Sequence, residues 1–332
     1  MIFIRNNSDY IFKYICIIIL IIYFLRIKKL KNKTNDNKHE LKIALCTMGK
    51  MENLYAKEFI DYYFKLGISH IFIYDHNAPN TEKIINIVEN IYRNKVSIFE
   101  TSKMNITNQA GSFTDCYQKN KYLYDWFLMI DMDEYLYIVN DSLKNYLSDS
   151  KFDKCDIINF HWVQATDNNL LFYDNRSLFE RFKGPYKKSE FVKSIVRGNI
   201  TKLKYSVHSP SFSPERNITC NNEGKKINYT ILEIEDVSQI STKYAYIIHF
   251  RYKSTEEFIK KFKRGYSNWF GNRIKAFLYG NLREYFQLNK ITLEKINYIE
   301  NELNISLKEF RDIYNQKQNK TLFHDKNNTL IL

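Results

Sequence analysis

Four short apolar segments alternate with helix-period segments between Leu41 and Ile130, and few folds accommodate that order. Lys42 to Cys46 reads as strand, Leu54 to Lys65 as an amphipathic helix closed by Gly67, and His70 to Tyr74 as strand. Thr81 to Arg93 then reads as helix, Val96 to Glu100 as strand, Thr114 to Tyr124 as helix and Trp126 to Ile130 as strand. Such alternation predicts an α/β protein with a doubly wound, mostly parallel sheet. Further strands are expected at Ile157 to Val163, Val192 to Arg197 and Tyr246 to Phe250. Beyond them, Ser254-Thr-Glu-Glu257 and Ser306-Leu-Lys-Glu309 are capping boxes, so the C-terminal portion should be helical.

The fourth strand runs into Asp131-Met-Asp133-Glu134, three carboxylates within four residues. In an open α/β sheet the carboxyl ends of the strands border the ligand crevice. Thr47, Asp75, Thr101 and Asp131 stand just past the four strands and would converge along that edge. Hard oxygen ligands one residue apart suit Mg²⁺ or Mn²⁺ held together with substrate phosphates. The plainer reading of the same tripeptide is a solvated acidic turn. No G-x-G-x-x-G or G-x-x-x-x-G-K-[ST] follows the first strand, which argues against a dinucleotide dehydrogenase or a P-loop ATPase.

Lys and Arg number 50 against 37 Asp and Glu, and the resulting charge of +13 suits an anionic partner such as nucleotide phosphate or a lipid surface. Nucleic acid is the weaker choice and is not expected as a partner, because no zinc-ligand spacing or nucleic-acid motif accompanies the charge. Cys16, Cys46, Cys116, Cys155 and Cys220 include no C-x-x-C pair, and Cys16, Cys46 and Cys155 read as small buried hydrophobes. Asn105, Asn175, Asn199, Asn217 and Asn228 lie in glycosylation sequons, which chance produces often in so Asn-rich a chain.

Tyr14 to Leu25 is an uninterrupted apolar run. From Ile11 to Ile27 a helix reaches about 25 Å, against ~27 Å for a thin bilayer. Arg26, Lys28, Lys29, Lys31 and Lys33 follow where a signal peptide would carry a small-residue cleavage site, so an uncleaved single-pass anchor is expected. That basic cluster outweighs Arg5 and Lys13, and the positive-inside rule would keep the rest of the chain cytosolic, in conflict with a lumenal enzyme of the endoplasmic reticulum or Golgi. The organisation expected is anchor and linker over 1–40, a catalytic domain over 41–266 and a helical extension over 267–332.

Three blocks in order, Lys42 to Leu54, Phe59 to Asn77 and Trp126 to Glu134, followed by His249-Phe-Arg-Tyr-Lys and Lys261-Phe-Lys-Arg-Gly265, resemble glycosyltransferase family 92 and its family 2 relatives. The resemblance implies a GT-A fold, a UDP-sugar donor, Mn²⁺ or Mg²⁺, a glycan or other hydroxyl acceptor, and inversion at the anomeric carbon; galactose is the sugar the family weights. It matches Asp131 and Asp133 to the metal and diphosphate motif and Asp75, with Asn77, to the nucleoside side. His249 is the late histidine that would complete the metal shell, although a histidine in an apolar strand is equally read as core. Where the family has Lys-Asn-Glu after the first strand, this chain has Gly49-Lys50-Met51-Glu52, so Lys50 and Glu52 are the candidate donor contacts beside Thr47.

Inverting transfer needs positive charge on the departing diphosphate and a carboxylate to take the acceptor's proton. Asp167, after the strand ending at Val163, is the candidate base, with Glu134 the nearer carboxylate and a possible brace of the loop. Lys193 and Arg197 share one strand as phosphate clamp or solvated face, His208 reads as a turn histidine, and His161 and Trp162 as stacking or core residues. Two other functions compete. A glycoside hydrolase needs carboxylates apart across a sugar ring, unlike Asp131 and Asp133; an inactive membrane-associated carbohydrate-binding or scaffold protein would keep the fold without turnover.

Overall fold

The computed structural model describes residues 40–200, 203–205, 208, 210–212, 218–227, 240–263 and 272–319, with Ile17, Ile22 and Tyr23 upstream. Two compact units are present, Met1–Leu41 and Lys42–Leu332. In the first, Ile17, Ile22 and Tyr23 are helical and exposed; the rest of the expected anchor lies outside the described residues. Among the described residues no helix is long and apolar enough to cross a membrane.

The second unit is a mixed α/β structure around a curled, mostly parallel sheet. Its strands are β1 (Ile43–Gly49), β2 (His70–Asp75), β3 (Val96–Glu100), β4 (Trp126–Met129), β5 (Glu134–Ile138), β6 (Ile157–Gln164), β7 (Lys187–Arg197), β10 (Thr219–Asn221) and β11 (Ala245–His249). They lie in the order β3-β2-β1-β4-β7-β6-β11-β5, with β10 also pairing β6. Strands β1 to β4 are mutually parallel, whereas β7 runs antiparallel to both β4 and β6, and β5 antiparallel to β11. Between them, β8 (Leu203–Tyr205) and β9 (Pro210–Phe212) form a separate antiparallel pair.

Helix α1 (Asn53–Leu66) buries Tyr55, Ala56, Phe59, Ile60 and Tyr63, the spacing of one helical face, and ends at Gly67 with φ 109°, a left-handed cap that glycine adopts without strain. Helix α2 (Gln109–Asn120) starts five residues before the expected Thr114, because Asn108 caps it by accepting from the Gly111 amide at 2.8 Å. It packs Phe113, Cys116 and Tyr117 onto Ala44, Cys46, Phe127 and Met129 of the sheet. The short helices α3 (Leu143–Leu147) and α4 (Leu178–Arg181) lie in connections. Helix α5 (Thr255–Lys263) is opened by the anticipated capping box, Glu257 accepting from the Ser254 amide and Ser254 from the Glu257 amide. Its Phe258 and Ile259 share one apolar cluster with α6 (Asn272–Leu288), α7 (Leu293–Leu303) and α8 (Lys308–Asn319).

Two expectations are corrected. Thr81 to Arg93 is not a helix but two 3₁₀ turns, Ile84–Asn86 and Asn90–Tyr92. Side chains from the β2 end hold the segment's first backbone groups: Asp75 accepts from the Ile84 amide and Asn77 donates to the Glu82 carbonyl. That local bonding competes with a helical first turn. The cysteines are also more than small hydrophobes. Cys46 is joined to Cys116 and Cys155 to Cys220, with Cα separations of 6.3 and 5.8 Å; Cys16 lies outside the described residues. The partners stand 70 and 65 residues apart, so nothing local in the sequence couples them. Each bridge is expected to contribute about 2–4 kcal/mol by shortening a long loop of the unfolded chain. A reductant should therefore lower the melting temperature, and Cys155→Ser with Cys220→Ser should lose part of that sensitivity. Identical melts with and without reductant, with all five cysteines alkylated on unfolding without reductant, would refute the bridges.

Candidate active site

The acidic run turns directly out of the sheet. Trp126 to Ile130 are fully buried, and β5 begins at Glu134, so Asp131-Met132-Asp133 forms a tight reversal at the carboxyl end of β4. Met132 points inward and is 1% exposed, packed where a Cβ on Gly49 would collide with its sulfur. Only a glycine at the end of β1 leaves that space. The aspartates on either side of Met132 meet polar partners instead.

Four elements converge on them. From α2, the Gln109 amide donates to Asp131 Oδ1. From β7, Lys193 Nζ lies 3.0 Å from the same oxygen and 3.9 Å from Glu134 Oε1. From β11, His249 Nε2 stands 3.6 Å from Asp133 Oδ1, and from α5, Lys261 Nζ stands 2.5 Å from Asp133 Oδ2. The Phe250 amide donates to the Asp133 carbonyl at 2.9 Å, sewing the acidic loop to the end of β11. Residues more than a hundred positions apart thus meet, as expected for His249.

Burial would push the Asp133 carboxyl up, but Lys261, His249 and Lys253 outweigh it and hold the group well below the usual carboxylate range. Burial pulls the His249 imidazole below its ordinary value in spite of Asp133, so the ring is neutral at physiological pH. For Lys193, burial is outweighed by Asp131 and Glu134, which hold its ammonium above the usual value. Trp162 packs against His249 with ring centroids 4.4 Å apart and against His208 at 5.3 Å, so Trp162 and His208 border the site. Burial, with Lys193 nearby, pulls His208 down to about 4.

Several other candidates are placed differently. Glu134 is fully buried, accepts from the Asp131 amide at 3.2 Å, and is raised well above the carboxylate range by burial and Asp131. It braces the loop and has no open face from which to take an acceptor's proton. Asp167 is 1% exposed, with Lys295 Nζ and the Tyr285 hydroxyl each 2.5 Å from Oδ2 and the Asn169 amide on Oδ1, so it is a structural clasp. Asp75 spends both oxygens on the amides of Asn77 and Ile84, and Asn77 ties the loops together by accepting from Met51 and donating to Asn53. Thr47 lies inside β1, fully buried. Arg197 is at the wrong end: β7 runs against β4, Arg197 pairs with Trp126 at the start of that strand, and its guanidinium donates to the carbonyls of Cys155 and Phe152. His161 is 7% exposed beside an irregularity in the β6–β7 pairing between His161 and Val163, and burial lowers its imidazole.

Lys50 is half-buried at the end of β1, close enough to His76 to lower that imidazole further after burial has done so. Glu52 is 3.1 Å from Lys253 Nζ, whose ammonium lies 4.0 Å from the Tyr55 ring centre. Lys253 has a left-handed backbone, φ 58°, between the end of β11 at His249 and the start of α5 at Thr255, a strained conformation of the kind that gathers at functional sites. Sequence reasoning left Lys261, Lys253 and Gln109 without a role. The two lysines lay within the late block, but nothing marked Gln109.

Asp131, Asp133 and neutral His249 are the donor types that a hard divalent cation accepts. Among the described residues no three of His, Cys, Asp and Glu converge as a single ligand set; Asp133 and His249 form a pair. That pair fits a cation that takes one or two protein carboxylates and fills its shell with waters and phosphate oxygens.

The glycosyltransferase family 92 model matches residues 39–276, more than half of the chain. A family 92 protein of Ricinus communis is 26% identical over 115 residues, covering 33% of this chain and 20% of that protein. One of Oryza sativa subsp. japonica is 27% identical over 118 residues, covering 31% and 18%. The matched segment spans about a fifth of the length of these relatives. A solved glycosyltransferase involved in the glycosylation of the major capsid of PBCV-1 is 17% identical over 47% of this chain and 60% of that one, with a TM-score of 0.22, too low to bear on the argument. On the strength of the family match across the sheet, the acidic loop and the late histidine block, the chain belongs to glycosyltransferase family 92.

Proposed function

We propose that this chain transfers a sugar from a UDP-sugar, galactose being the family's weighting, to a hydroxyl of a glycan or glycoconjugate, with inversion and with Mn²⁺ or Mg²⁺. The observation that carries the reading is the meeting of Asp131, Asp133, His249, Lys193 and Lys261 at the carboxyl edge of the sheet. A cavity of about 350 Å³ beside it, at the ends of β2 and β3, is lined by His76, Asn77, Thr101, Asn105 and Thr107 among others. Its size and polar lining suit a nucleoside. Thr107 lies two residues before Gln109, whose amide reaches Asp131, so a nucleoside there would direct its diphosphate to the acids.

Asp133 and His249 would hold the metal, which when bound supplies charge neutralisation to the departing diphosphate. Lys193, fixed and buried, contributes a permanent positive charge on the same side. Donor hydrolysis across a panel of nucleotide sugars, with and without Mn²⁺, tests the reading; no turnover and no binding of any nucleotide would favour the inactive carbohydrate-binding alternative. His249→Ala is expected to raise the Mn²⁺ concentration for half-maximal rate by about tenfold or more. An unaltered metal requirement in the folded variant would make His249 a core residue.

The two disulfides support a lumenal, oxidising location for the globular unit, against the orientation favoured by the basic cluster after the apolar run. Exposed sequon residues Asn175 and Asn199 agree with it; Asn105 lines the cavity given to the nucleoside and is not counted with them, and Asn217 and Asn228 lie outside the described residues. Carbonate extraction and glycosidase digestion of the expressed chain test anchor and orientation together.

A further inference from the structure

We propose that Lys261 and the divalent cation compete for Asp133, so that metal enters only when a nucleotide diphosphate arrives to accept the displaced ammonium. The inference rests on the metal and nucleotide reading above and assigns Lys261 as the residue that couples the two ligands.

The carboxylate of Asp133 is already divided between two neighbours. One oxygen faces His249 Nε2 at 3.6 Å, and the other holds Lys261 Nζ at 2.5 Å. A cation bound by Asp133 and His249 would sit within a few ångströms of that ammonium, in a place where Asp133 is only 7% exposed and water screens little. One of the two positive charges has to leave.

Lys261 is the most exposed of the three lysines. It stands near the end of α5, its side chain is 20% exposed, and it also donates to the Arg251 carbonyl at 3.2 Å. Lys193, by contrast, is 1% exposed between Asp131 and Glu134. Lys253 is 6% exposed and paired to Glu52. A lysine carries a compact charge on a flexible stem and binds phosphate readily, so the displaced head can turn to the diphosphate.

The charge balance points the same way. Lys193, Lys253 and Lys261 face Asp131, Asp133 and Glu52. A divalent cation alone adds positive charge beside three ammoniums, and a diphosphate alone adds negative charge beside the carboxylates. Arriving together they leave the balance nearly unchanged. Binding of the two should therefore be positively coupled, each tightening the other by the same factor.

Calorimetric titration of Mn²⁺ into the full chain, with and without saturating UDP, tests this in wild type, Lys261→Gln and Lys261→Arg. In wild type, UDP should tighten Mn²⁺ by about 10- to 100-fold. In Lys261→Gln, Mn²⁺ without UDP should bind about fivefold tighter or more than to wild type, and the coupling should shrink by a comparable factor. Lys261→Arg, which keeps the charge, should resemble wild type. If the Gln variant shows wild-type affinity without nucleotide, or unchanged coupling, the competition is overturned while the metal reading stands. If none of the three binds Mn²⁺ even with UDP present, the metal reading falls and the proposal with it.

Discussion

Asp133→Asn is expected to lower the transfer rate by about 10²–10³-fold, the loss typical when one group that stabilises developing charge is removed. The change preserves the shape of the side chain but removes the charge shared by His249 and Lys261. The fold should survive, because Lys261 is 20% exposed and can turn to water. Some stability will be lost with the charge. The folded Asp133 carboxyl is held below its usual range, so its contribution is fully present above the unfolded value of ~3.9 and disappears only as pH falls through the folded value. At neutral pH the variant therefore forgoes the whole of it, whereas at strongly acid pH wild type and variant should converge. Thermal melts with UDP and Mn²⁺ separate the catalytic loss from the structural one. Ligands at a hundredfold over Kd should stabilise wild type by about 2.7 kcal/mol and Asp133→Asn by little. Equal stabilisation of both proteins would remove Asp133 from the ligand site.

The first half of the sheet was legible because its strands are apolar runs of the right length and each is followed by a polar or helix-period segment. Gly67 and the Ser254–Glu257 box marked ends that the structure keeps. What could not be read was strand direction. In a parallel strand Arg197 would have stood at the crevice, but β7 runs against β4 and brings Lys193 there instead, with Arg197 at the far end over Trp126. The failed helix at Thr81 to Arg93 has a nearer origin, since Asp75 and Asn77, only nine and five residues before the groups they bond, hold the 82–84 backbone from the end of β2. Asp131, Asp133 and His249 were recognisable from ordered blocks; the structure pairs Asp133 with His249 and gives Asp131 to Lys193 and Gln109. Their counter-ions were not, because a lysine that reaches a buried carboxylate has the same local sequence as one that reaches water.

Asp167→Asn is expected to destabilise the protein by about 3–5 kcal/mol, the cost of breaking a buried ion pair from one side. Asp167 and Lys295 are 1% and 2% exposed, 2.5 Å apart, and the Tyr285 hydroxyl donates to the same carboxylate oxygen. The Asp167 amide donates to Asn289 Oδ1 at 2.6 Å. These bonds tie the segment after β6 to α6, to α7 and to the turn between them, so the carboxylate locks the helical portion onto the sheet. An asparagine there leaves the Lys295 ammonium buried without its counter-charge. Adding Lys295→Met removes the stranded charge and should recover much of the loss, because replacing both members of a buried pair costs far less than removing one. A general base behaves in the opposite way. Its amide variant would unfold like wild type, retain UDP binding and lose turnover, and the lysine substitution would restore nothing. Unfolding midpoints of the two single variants and the double variant, measured beside transfer rates, decide the matter. A wild-type midpoint with abolished transfer in Asp167→Asn would return the residue to the acceptor side of the site.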